Sequence, residues 1–117
     1  MAQKSIDTLH FVEEIYRKSF VFVLSTLEYA EQLQKVDKSI MGSDLIQSAT
    51  LWGEYINDAR SMTSLQSIKY KFRKALHQAD RLMYFFNLCR YSKDYPNPDN
   101  LIENLIELRN EVEQKTN

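Results

Sequence analysis

Residues 69–84 gather the side chains best suited to contact a ligand: Lys69, Tyr70, Lys71, Arg73, Lys74, His77, Arg81 and Tyr84. Arg73, His77 and Arg81 are four apart, so a helix would stack them as one ridge of cationic or protonatable groups. Lys69 and Lys71 flank that ridge, and Tyr70 and Tyr84 bracket it. Cations in such a row can track the phosphates of a nucleic acid, and tyrosine rings offer faces on which bases stack. The same row also suits a solvated helix face paired with acidic neighbours, or an acidic surface on a partner protein. All three readings stay open at this point.

Other chemistry finds few carriers. A metal site needs three or four convergent ligands. Only His10 and His77 are available as imidazoles, and no Glu-x-x-His pair exists for a di-iron bundle. No cofactor is expected. Cys89 is the single cysteine, which excludes an internal disulfide and reads as a buried structural thiol. Glu13 and Glu14, and the ridge Glu103, Glu107 and Glu111, have surface spacing. With no nucleophile–base pair, no Gly-rich phosphate loop and no paired catalytic carboxylates, the expectation is a non-enzyme without a small-molecule substrate.

The elements that must position these residues follow from composition and periodicity. The chain has 117 residues, 44% hydrophobic and 26% charged, with 7 Tyr, 6 Phe and 1 Trp but only 2 Gly and 2 Pro. Few tight turns can be built from that, so long helices are favoured over many short strands. Mean hydropathy is −0.47, and neither a membrane-spanning run nor a signal peptide's apolar stretch is visible, so a cytoplasmic protein away from membranes is expected. Net charge is −1, yet it is segregated. Residues 1–59 carry 5 basic against 9 acidic groups, residues 60–93 carry 8 against 1, and residues 94–117 carry 2 against 6.

Four periodic segments predict one all-α domain over 1–117, an up-down-up-down four-helix bundle. The expected helices cover about 8–33, 43–61, 64–91 and 98–114. Val12, Ile15, Tyr16, Phe20, Val23, Leu27, Ala30 and Leu33 form the apolar stripe expected to face the core from the first helix. Phe11, Phe22, Leu24 and Tyr29 fall off that stripe, and Phe85 and Leu88 lie at the edge of the third helix's stripe. These six are candidates for an interface between copies, because a lone bundle exposing them all would be poorly soluble. Gln34 to Gly42 reads as a connection, Thr63-x-x-Gln66 as a capping box, and Asn97-Pro98 as an N-cap with proline at the first helical position. Gly53 inside a helix costs about 1 kcal/mol relative to Ala, which points to a close neighbour. Trp52 and Tyr55 read as core aromatics.

The order of residues in the first three helices resembles the small four-helix-bundle proteins encoded in intervening sequences of bacterial 23S ribosomal RNA genes. Lys18-Ser19-Phe20-Val21-Phe22 matches that family's Lys-Ser-Phe-x-Phe opening. Ser48, Ala49, Thr50, Gly53, Ile56 and Ala59 agree with its second-helix pattern, and Asp58 keeps an acid. Ser64, Lys71, Ala75, Leu76, Ala79 and Tyr84 agree with the third, where Ile68, Phe72, Phe85 and Phe86 are apolar substitutes. Gln47, Tyr55, Gln78, Arg81 and Leu82 stand where the family has Arg, Asn, Glu, Glu and Thr, so a buried polar network there would be absent or rebuilt. The resemblance spans residues 17–90. It implies a homopentamer, and a related branch comprises accessory proteins of diversity-generating retroelements, whose basic surface engages a reverse transcriptase and nucleic acid. The expected partners are therefore copies of the chain itself and an RNA, a DNA or a nucleic-acid-processing protein.

Overall fold

The computed structural model describes residues 6–117. It contains α1 (Ile6–Lys35), α2 (Ser39–Arg60), α3 (Leu65–Tyr91) and α4 (Asp99–Gln114), with no β-strand among the described residues. Each helix packs on its sequence neighbours and α4 closes back on α1, which leaves α1 and α3 diagonally opposed in a rod of 50 × 20 × 18 Å. Ion pairs mark every edge and fix the alternating directions. Arg60 meets Glu13 at 2.9 Å, Lys71 meets Asp58 at 3.2 Å, Arg109 meets Asp80 at 2.9 Å and Lys18 meets Glu111 at 3.0 Å.

The buried seam of α1 runs Val12, Ile15, Ser19, Phe22, Thr26, Tyr29 and Leu33. Its spacing alternates three and four, the heptad that gives left-handed bundle packing. Heptad seams follow in α2 (Leu45, Ala49, Trp52, Ile56, Ala59), α3 (Ile68, Phe72, Ala75, Ala79, Leu82, Phe86, Cys89) and α4 (Leu101, Leu105, Leu108, Val112). The expected α1 stripe is therefore corrected. Phe20 is 54% exposed, Tyr16, Val23 and Leu27 are half-buried, and Phe22 and Tyr29 belong to the core. The apolar pattern misled because two seam positions hold hydroxyl residues, Ser19 and Thr26. Across the diagonal, Phe22 and Tyr29 both meet Phe86 edge-on at ring separations of 6.4 and 6.0 Å.

The connections also differ in detail. The first is only residues 36–38, with Asp37 in the left-handed region (φ 63°) and the Lys38 N–H returning to the Leu33 carbonyl at 2.7 Å. Gly42 is not a breaker. It is buried inside α2, where an added Cβ would lie 3.4 Å from the Ala30 carbonyl oxygen. The cap of α3 is Ser64, whose hydroxyl accepts from the Ser67 N–H at 3.1 Å, in place of the expected Thr63–Gln66 box. The N-cap of α4 is Pro98, one residue later than the expected Asn97, and Asp99 is the first helical residue, while the Asn97 side chain still accepts from the Asp99 N–H at 2.8 Å. Across this last connection the Tyr29 hydroxyl donates to the Pro96 carbonyl at 2.6 Å.

Candidate binding face on the third helix

Because α3 turns one side to the core, residues 70, 73, 74, 77, 81 and 84 share the other, and all six are exposed. The Lys74 ammonium sits 5.2 Å above the Tyr70 ring, and the Arg81 guanidinium lies 5.5 Å from the Phe85 ring. The Arg81 Nε also donates to the Ser48 hydroxyl of α2 at 3.3 Å, which anchors its stem at the edge of the face. Arg73, Lys74 and His77 have no acidic partner among the described residues. Several cations elsewhere are neutralised. Arg90 pairs with Asp99 at 3.2 Å, and Arg109 is held by both Asp80 and Glu113, whose bonds raise its pKa.

Two of the eight candidates leave the face. Lys71 is only half-exposed and is bound by Asp58, and the half-buried Lys69 donates to the Asn117 carbonyl at 3.4 Å. Both lie where α3 meets a neighbouring helix end, so packing turns them away from the ridge. Nothing in residue type or spacing signals that, because the carbonyl and carboxylate involved lie 48 and 13 residues away.

The six interface candidates separate in the same manner. Phe22 and Tyr29 are buried and cannot serve a second chain. Phe11 is half-buried, edge-on to Phe72 at 6.1 Å with the Lys115 ammonium 5.1 Å from its ring, and Phe85 is half-buried beneath Arg81 and beside Tyr84. Leu24 and Leu88 are exposed as expected. Sequence reasoning missed Phe20 and Val21 as surface residues. They are 54% and 62% exposed and adjoin Leu24 on the outer side of α1.

Grooves flank that outer side. One of about 560 Å³ runs between α1 and α4, with Val21, Phe22 and Leu108 among its apolar lining and Glu14, Arg17 and Glu107 at its walls. A smaller one of about 330 Å³ lies between α1 and α2, past Phe20, Val23 and Gly53. The close neighbour expected at Gly53 is Val23, whose Cγ2 would stand 3.3 Å from an added Cβ. Among the described residues, the carbonyl oxygen of buried Gln78, the Trp52 indole N–H and the Ser19 hydroxyl find no hydrogen-bond partner. Cys89 is a buried free thiol. Among the described residues no three His, Cys, Asp or Glu side chains converge as a metal site, and no helix is long and apolar enough to cross a membrane.

Comparison with known proteins gives no match: no family model fits the chain, and neither a curated protein nor a solved structure is significantly similar to it. The arrangement on the surface of α3 is therefore read on its own chemistry. An exposed row of cations with no ion pair among the described residues, beside tyrosines, can hold a polyanion or an acidic protein surface.

Proposed function

We propose that this chain is a non-enzymatic, self-associating helical-bundle adaptor that presents the cationic face of α3 to an acidic partner. One observation carries the reading. Arg73, Lys74 and His77 stand exposed with no carboxylate partner among the described residues, while Lys18, Lys71, Arg90 and Arg109 are spent on ion pairs within the bundle. Self-association is supported by Phe20, Val21 and Leu24 on α1. The resemblance to the intervening-sequence proteins is the sole source of a count of five copies.

A second reading makes the partner a nucleic acid, as for the retroelement accessory factors. It is favoured by Tyr70 and Tyr84, exposed at 53% and 63% beside the cations. Electrophoretic mobility shift with single-stranded and structured RNA and DNA at about 50 mM salt, where electrostatic binding is strongest, separates the two. A shift that weakens steeply with salt and disappears in Arg73→Glu/Lys74→Glu supports the nucleic-acid reading. No shift with any nucleic acid leaves an acidic protein as partner. Light scattering counts the copies, and a monomer mass at micromolar concentration would sink self-association.

A further inference from the structure

On α1, Arg17, Val21, Leu24 and Glu28 are spaced four, three and four, opposite the buried seam, and all are exposed. We propose that this outward seam is the contact between two copies of the chain, packed antiparallel about a two-fold axis near Phe22 and Val23. The inference deepens the self-associating reading and rests on it. The four-three-four spacing reads the same in both directions. Reversing the helix therefore sets Val21 against the partner's Leu24 and Arg17 against the partner's Glu28, each contact occurring twice.

Charge selects that direction. An in-register parallel pair would bring Arg17 to Arg17 and Glu28 to Glu28. Antiparallel pairing joins opposite signs at both ends of an apolar centre, a polar rim around a dry middle. Arg17 and Glu28 have no ion pair of their own among the described residues, whereas the adjacent Lys18 is held by Glu14 at 3.2 Å and Glu111 at 3.0 Å. Phe20, tilted on Tyr16 at a ring separation of 6.2 Å, widens the apolar centre on the side facing α2. One turn further out Glu14 meets the partner's Glu31, and Lys18, already bound to Glu14, supplies the cation at that point.

The test uses reciprocal charge reversal in the full chain, read by sedimentation equilibrium with helicity checked by circular dichroism. Arg17→Glu and Glu28→Arg should each raise the dissociation constant about tenfold or more, because attraction becomes repulsion at both symmetric ends. An equimolar mixture of the two variants should reassociate, since every contact is then Glu against Arg, and Arg17→Glu/Glu28→Arg in one chain should restore the wild-type constant. Unchanged single variants, or a mixture that stays dissociated, overturns the two-fold contact. A pentamer insensitive to both changes overturns it while leaving self-association standing, and a monomeric wild type removes both.

Discussion

Ser19 and Thr26 occupy equivalent places in the α1 seam, seven residues apart, yet their hydroxyls meet different fates. Thr26 donates to the Phe22 carbonyl one turn back at 3.0 Å. The Ser19 hydroxyl is buried with no partner among the described residues. An unsatisfied buried hydroxyl costs roughly 1–3 kcal/mol, so Ser19→Ala should stabilise the fold by about 1 kcal/mol and raise Tm by about 4 °C in calorimetry. Tyr29 and Cys89 give a pH response. Burial pushes the Tyr29 phenol far above its ordinary 10.0, with Cys89 adding to the rise, and burial pushes the Cys89 thiol above 9.0. Both protons are held more tightly in the folded chain, so the unfolded chain releases them first. Stability is whole below pH 9.0 and falls as pH rises through the thiol and then the phenol range. Denaturant titrations from pH 8 to 11 should show this decline. Tyr29→Phe should flatten its upper part while losing about 1 kcal/mol at neutral pH, because the Pro96 carbonyl loses its donor.

At the scale of elements, the number of helices and their approximate extents were legible as apolar periodicity. The α1 seam was not. A reading that follows apolar side chains steps over Ser19 and Thr26 and drifts onto Phe20, which faces solvent. Gly42 misled in the opposite sense, since a residue that often ends helices here serves close approach to Ala30. The ridge Arg73–His77–Arg81 was legible because helical spacing alone places it on one side. The loss of Lys69 and Lys71 from it was not, because their partners are set by how helices pack. Gly53 tests whether close approach matters equally in mid-helix. An added methyl would crowd only Val23 Cγ2, at 3.3 Å, and that half-buried side chain borders a groove into which it can shift. Ala also favours the helix by about 1 kcal/mol. Gly53→Ala should therefore stabilise by about 0.5 kcal/mol in urea unfolding, once the crowding is subtracted from the propensity gain. A loss would mean that Val23 cannot move.

For the whole molecule, the diagonal placement of α1 and α3 has a consequence for how binding and assembly combine. If two copies meet through α1, each α3 lies on the far side of its own bundle, and the cationic faces look outward in opposite directions. Each bundle is about 20 Å across, which separates the two faces by about twice that width. A short polyanion engages one face alone, so its affinity should not depend on pairing. A long polyanion can reach the faces of separate pairs and link them, and linkage multiplies weak contacts without any new ones. With single-stranded DNA or polyphosphate as probe, Arg17→Glu should leave the binding of a chain of about ten phosphates unchanged, since position 17 lies on the opposite side of the bundle from α3. The same variant should abolish the large complexes that light scattering detects with chains of several hundred phosphates, because a monomer carries only one face. Arg73→Glu/Lys74→Glu should remove both signals. Large complexes that persist in Arg17→Glu would mean that a single bundle carries a second cationic face, and the link between pairing and multivalent binding would fail.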